Sequence, residues 1–412
     1  MTGLGASLLE QLLAAGGGHR GPRAGCGAGH QAEFVSYREK AIGTVPGPVS
    51  VRRAWYHRRE CGRGLAPADS DLGVAGVSTS PGLRKMTARV AAVAPFARAG
   101  DLLADLAGLH LTARRIERSA EADGTAAAAA TRAAADAILA RKLIPMPPAP
   151  LPGKLYIAVD GTGVPMVPAE TAGRPGKGPD GRAKTREVKL ACLFTQTTLD
   201  AGGRPVRDPG SSTYLATFAP AAQFARLVDA EARRRGSQHV RQLVVLGDGA
   251  AWIWNLAGQI LPAATQIVDL YHAREHLHEL AGLVAFMLGG QHNDWLAARL
   301  TELDNGDIPA ITAAAREFPL AGLKARELDK ALGYFETSAH RMQYARFRSL
   351  GMLVGSGMVE AGCKAVIGQR MKLSGMHWPA RGAAGIAALR CQDASGRWDE
   401  IWQHPDTQIT VA

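Results

Sequence analysis

Cysteine is scarce in this chain, with five residues among 412 at positions 26, 61, 192, 363 and 391. An odd, widely scattered set in so long a chain does not make a disulfide framework. Long apolar runs are missing as well. No stretch approaches the ~18 uncharged residues that read as a bilayer-crossing helix, so no membrane partner is expected. The first 15 residues carry neither a basic n-region nor a continuous apolar core, which argues against a signal peptide. A cytoplasmic location is expected, at the nucleoid when DNA is bound. Acidic residues are outnumbered, 37 Asp and Glu against 48 Lys and Arg, giving a net charge of +11. That excess suggests a polyanionic partner, nucleic acid before an anionic membrane surface. At 46% hydrophobic and 21% charged, the composition is that of an ordinary globular chain, and 412 residues predict two or three domains.

The stretch Leu155-Tyr156-Ile157-Ala158-Val159 reads as a strand buried on both faces, and it ends in Asp160-Gly161. Such an Asp has little positional freedom and is a candidate metal ligand or acid/base. Alone, it reads as an Asp that merely opens a turn. The pattern recurs at Gln242–Gly247, which runs into Asp248-Gly249, and two such strands by accident are much less expected. Between them, 185–195 and 212–218 read as further strands and Ala221–Arg235 as an amphipathic helix. A last strand, Ala264–Asp269, leads through His272 into a helix. Three strands, helix, strand, helical connection, strand, helix is the element order of an RNase H-like α/β core. The Gly/Pro loop 172–184 carries Arg174, Lys177, Arg182 and Lys184, a candidate phosphate contact or simply a solvated hairpin.

Ahead of this core, residues 1–80 read as a small β region. Glu33–Tyr37, Lys40–Val45 and Val49–Tyr56 form its short strands, and the Gly-rich stretch 16–30 is expected to be loosely ordered. Cys26, His30, His57 and Cys61 bracket the strands as two ligand pairs, the plan of a zinc ribbon in which metal replaces a missing core. The pairs are C-x₃-H and H-x₃-C rather than C-x₂-C, so the alternative is a degenerate ribbon without zinc. Residues 81–144 turn helical, with a helix-turn-helix pattern over 101–118, a tight turn at Gly108 and Thr112 as cap of the second helix. Arg114, Arg115 and Arg118 on that helix suit DNA, or an ordinary solvated face. An Ala-rich helix is expected to follow through Lys142, and 145–153 is a proline-rich linker.

In the last third, 281–345 is a helical block whose aromatic and leucine residues fit core packing. Within 346–402, Ser356 is placed to cap a helix that carries Glu360 in its first turn and Lys364 one turn on, followed by Arg370 and Lys372, and Lys364, Arg370, Lys372 and Trp378 are candidate DNA contacts. A Glu–Lys pair at that spacing is usually a surface pair. With Asp160 and Asp248 it becomes the third member of a carboxylate set suited to two Mg²⁺ ions, with Mn²⁺ able to substitute. Trp252, Trp254 and Trp378 are candidates to stack on unpaired bases or to lie in the core. Residues 403–412 are read as a tail.

The run Gly355-Ser356-Gly357-Met358-Val359-Glu360-Ala361-Gly362-Cys363-Lys364, with 370–378 after it, closely resembles DDE transposases of bacterial insertion sequences of the ISKra type. The resemblance extends to Val159–Thr162, Arg186–Lys189, Leu246–Gly249 and Val268–His272, and covers roughly residues 25–402. It implies an RNase H-like catalytic core with an all-α insertion and the acidic triad Asp160, Asp248 and Glu360. Asp269-Leu270-Tyr271-His272 looks like the D-x₂-H element of related Mutator-like and hAT transposases, which implies a positioning role for Asp269 and His272 near the scissile phosphate. The implied partners are double-stranded DNA, at terminal inverted repeats and at a target, and further copies of the chain in a dimer or larger complex. The N-terminal ribbon departs from the family pattern, because only Cys26 and Cys61 stand where C-x₂-C pairs are usual. Two other readings remain: a DNA-binding relative without catalysis, and an RNase H-fold nuclease or resolvase that cuts without joining.

Overall fold

The computed structural model describes residues 2–402 apart from 15–16, 27–28, 61, 147–150, 177–179 and 356, and omits the side chains of Thr2 and Met358. Cys61, Lys177, Ser356 with its expected capping role, and the tail 403–412 therefore lie outside the described residues. The chain divides into two units, one of Met1–Ala130 with Arg381–Asp393 and Arg397–Ala412, the other of Thr131–Ala380 with Ala394–Gly396. The stretch expected as a linker, 145–153, falls inside the second unit. Among the described residues no helix is long and apolar enough to cross a membrane.

The first unit opens with helix α1 (Thr2–Ala14). Then comes an antiparallel sheet of β1 (Arg23–Gly25), β2 (Gln31–Thr44), β3 (Gly47–Arg58) and β4 (Arg63–Leu65), paired in that order. Two of the expected short strands are one long one. Nothing at Arg38-Glu39 breaks the chain, both residues pair across to β3, and a bulge between Phe34 and Ser36 absorbs the register change. Ile42, Val49, Val51 and Val74 form a small core to which Leu9 and Leu13 of α1 add. Helices α2 (Pro67–Asp71), α3 (Pro81–Val93) and α4 (Phe96–Ala107) follow, and α4 stops at Gly108 with φ of 64°. Helix α5 (Ala113–Leu139) starts at Thr112, whose hydroxyl accepts from the Arg115 amide at 3.3 Å. The expected second helix and Ala-rich helix are thus a single helix. Its one weak residue, Gly124, is a close-approach site, since a Cβ there would lie 2.1 Å from the Gly385 carbonyl oxygen.

The second unit is built on β5 (Lys154–Pro165), followed by α6 (Pro168–Thr171), β6 (Thr185–Gln196), the small pair β7 (Thr198–Leu199) and β8 (Pro205–Val206), and β9 (Thr213–Thr217). Then come α7 (Ala221–Arg234), β10 (Gln242–Gly247), α8 (Ala251–Ile260), β11 (Thr265–Val268) and α9 (Leu270–Leu288). The main sheet is ordered β11-β10-β5-β6-β9. β6 is antiparallel to β5 and β9, while β10 runs parallel to both β5 and β11. Leu155 through Val159 are fully buried, as are Leu190 to Phe194, so the central strands are covered on both faces. The molecule is therefore mixed α/β with a mixed sheet.

A helical block follows: α10 (His292–Asn305), α11 (Ile308–Arg316), α12 (Gly322–Ser338) and α13 (Tyr344–Ser349). Leu303, Leu328, Leu332 and Phe335 pack inside it. The chain returns through α14 (Gly357–Gly362), a π-helical turn over Cys363–Gly368, and α15 (Gln369–Met371). The last long helix, α16 (Ala380–Ala394), belongs mostly to the first unit.

Candidate active site

Strand register decides what lies at the carboxyl edge of the sheet. Leu246 of β10 sits opposite Ala158 of β5, so two residues further on Asp248 comes beside Asp160. Gly247 sits opposite Val268 of β11, so Asp248 also comes beside Asp269. Three aspartates thus stand in a row on three neighbouring parallel strands, at a spacing of about 4.8 Å per strand.

Each carboxylate is tied to the chain that carries it. Asp160 Oδ1 accepts from the Gly161 amide at 2.6 Å, and Asp248 Oδ1 from the Ala250 amide at 2.9 Å. Asp269 is buried and caps α9 by accepting from the His272 amide at 2.9 Å. The second oxygen of Asp160 accepts from the Cys363 thiol at 3.1 Å. Burial raises the Asp160 pKa above the ordinary carboxylate value. Hydrogen bonds from Cys363 and Gly161 oppose the rise, the charge of Asp248 adds to it, and His272 draws it back. His272 Nδ1 itself lies 3.2 Å from Glu275 Oε2.

The helical block reaches this edge through Tyr334. Its hydroxyl donates to the Asp248 carbonyl at 3.2 Å, and its ring lies 4.0 Å, centre to centre, from His276. Burial, with Asp248 and Asp269 nearby, pushes the Tyr334 phenol well above its usual range. Gly249 turns beneath the ring with φ of 104°, where a Cβ would meet Tyr334 Cε2 at 2.5 Å.

Glu360 does not join the row. It is exposed on α14, and its Oε1 accepts from Lys364 Nζ at 2.6 Å. The chain on either side of its helix nevertheless meets the strand ends: before it the Val354 carbonyl accepts from the Leu270 amide at 3.0 Å, and just after it Cys363 touches Asp160. Among the described residues no three His, Cys, Asp or Glu side chains are grouped closely enough to hold a metal ion. The donor chemistry at Asp160 and Asp248 suits an oxygen-seeking divalent ion at two positions; Glu360 lies elsewhere, on Lys364.

No known protein-family profile matches the chain, and no curated protein matches it either. The site is read from its own residues.

Two residues expected to face DNA are core residues. Arg370 is fully buried with its guanidinium 5.0 Å from the centre of the Trp378 ring, and Trp378 is 4% exposed. Trp378 is folded inward because its backbone bridges to Pro165 and Val167 and its indole N–H donates to the Met371 carbonyl. Trp254 is buried too, whereas Trp252 is half-buried with Lys189 Nζ 5.5 Å from its ring centre. Lys372 is exposed and donates to the Thr162 hydroxyl, close to Asp160 in sequence. Arg174, Arg182 and Lys184 are exposed and line a groove of about 890 Å³ with His377, Lys184 pairing with Asp180 at 3.3 Å.

In the first unit, Arg114, Arg115 and Arg118 are all exposed on α5. Of the zinc candidates, Cys26 is half-buried, its amide donating to the His30 carbonyl at 2.8 Å. His57 pairs across the sheet with Glu33. These three described residues form no gathered donor set, and Cys61 lies outside the described residues.

Sequence reasoning passed over Cys363 and Tyr334. Cys363 sits three residues after Glu360, within one helical turn of it, and a search for chemistry around Glu360 would have caught it. Tyr334 carried no sequence signal, because its partner is a backbone carbonyl 86 residues away.

Proposed function

We propose that the chain is a DNA strand-transfer enzyme, a DDE transposase of the insertion-sequence kind with an RNase H-like core. The observation that carries this reading is the placement of Asp160 beside Asp248 on adjoining parallel strand tips, with the Glu360 helix in contact with Asp160. Strand order adds support. The sheet has three antiparallel strands on one side and two parallel ones on the other, as an RNase H-like core requires. The net charge of +11 and the exposed arginines of α5 suit a polyanion.

Divalent magnesium, when bound, would activate the attacking hydroxyl and stabilise the leaving oxygen in an in-line displacement at phosphorus. The chain's own residues do the rest. The tip-turn amides of Gly161 and Ala250 fix one oxygen of Asp160 and of Asp248, so each presents the other with little freedom. Asp269 fixes the start of α9 and with it His272, to which this reading gives the role of holding the scissile phosphate. Arg174, Arg182, Lys184 and Lys372 neutralise flanking phosphates, and Arg114, Arg115 and Arg118 read the transposon ends.

One observation favours a second reading, a DNA-binding protein without catalysis: Glu360 is engaged by Lys364 and lies outside the aspartate row. The test is incubation of the protein with magnesium and DNA carrying the inverted repeats that flank its gene. Strand cleavage and joining are expected for the wild type. They should be lost in Asp160→Asn, Asp248→Asn and Glu360→Gln, with folding and DNA binding intact. DNA binding without any product from the wild type would favour the second reading.

A further inference from the structure

Asp160 is held from two sides, and only one of the two donors comes from its own turn. Gly161 fixes Oδ1, while Oδ2 accepts from Cys363, a residue 203 positions away in the chain. Packing accounts for how Cys363 arrives there. Gly362 is pressed onto the sheet, and a Cβ at that position would lie 2.7 Å from Tyr214 Cε1 and 3.3 Å from Leu190 Cδ2. Leu190 is the residue of β6 that pairs with Asp160 in register. The helix therefore touches down directly over the Asp160 face, and the next residue, Cys363, meets the carboxylate. At that same residue the helix widens into its π-helical turn, a distortion that recurs at functional sites because it redirects side chains. Cys363 is buried.

We propose that Cys363 is a positioning residue of the carboxylate site, orienting Asp160 through its thiol and registering the Glu360 helix against β5. This rests on the reading of Asp160 as a ligand of a divalent ion. A carboxylate oxygen keeps a second lone pair when it accepts one hydrogen bond, so the thiol leaves room for a cation on Oδ2. It fixes which way that lone pair points. The thiol and Glu360 lie one turn apart on one helix, so the contact also sets how far Glu360 stands from the aspartate row.

The test is a calorimetric titration of the full chain with manganese chloride, without DNA, which reads affinity and not turnover. The wild type should bind and Asp160→Asn should not. Cys363→Ala should bind about 10-fold more weakly, as is usual when a group orienting a ligand is removed. Cys363→Ser, which restores a donor, should return to within about threefold of the wild type. Cys363→Val keeps the volume without the donor, and it should resemble Cys363→Ala. If alanine packs badly, the serine–valine contrast still separates hydrogen bonding from shape. Wild-type affinity in both Cys363→Ala and Cys363→Val, or tighter binding, would overturn the positioning role while leaving the metal reading intact. No binding by the wild type, unchanged in Asp160→Asn, would overturn both.

Discussion

Asp160 and Gly249 show what single residues contribute to the edge of this sheet. The Asp160 carboxylate is held half-buried beside a second carboxylate, an arrangement that opposes its own charge. Structure alone has little use for such a placement, whereas a cation-binding edge does. Gly249 is constrained from two directions, by a φ of 104° and by the Tyr334 ring. Gly249→Ala should therefore destabilise the protein by about 1–3 kcal/mol, the usual cost of forcing a side chain into that region. Urea unfolding of the two proteins measures it, and an unchanged midpoint would contradict it. The paired Asp-Gly tips were legible in the sequence, because a buried apolar run ending in Asp is local information. The inward turn of Trp378 was not. A basic helix followed by a tryptophan reads as a surface until Pro165, more than two hundred residues earlier, is found to pair with it.

Elements carry the next level. The order of strands and helices along the second unit followed from buried runs and their spacing; how the strands are arranged in the sheet did not, because pairing partners lie far apart in the chain. Helix boundaries in the first unit were less legible. Gly124 reads as a weak point in α5, yet it serves the close approach to Gly385. Helices α3 and α5 are also joined by a buried pair, Arg84 Nε to Asp123 Oδ1 at 2.9 Å. Burial outweighs Arg84 there and raises the Asp123 pKa above its ordinary 3.8. The folded protein thus holds this proton more tightly than the unfolded chain does. The group's contribution to stability is full below the ordinary value and is lost as pH rises through the folded one. Asp123→Asn lacks that loss. The wild type's stability minus that of Asp123→Asn should shrink as pH rises from about 3 to about 7, followed by urea midpoints. A difference that widens over that range would contradict the assignment.

Across the whole molecule, the positive charge and its placement set the expected partner. The excess charge was plain from composition, but which cations face solvent was not, and Arg370 turned out to be core. Arg114 and Arg118 are exposed, so their replacement by alanine together should weaken DNA binding at every sequence. It should also reduce the slope of log affinity against log salt by about 0.9 for each phosphate no longer neutralised. Fluorescence anisotropy across a salt series measures that slope, and an unchanged slope would remove α5 from the DNA interface.

The central claim is that Asp160 and Asp248 form one metal-dependent centre acting on DNA. It is tested most directly by end-joining with Asp248→Asn beside the wild type, in magnesium, on DNA carrying the flanking repeats. Joined product from the wild type and none from Asp248→Asn, at equal DNA binding, is the predicted result. Equal product from both proteins would contradict the account.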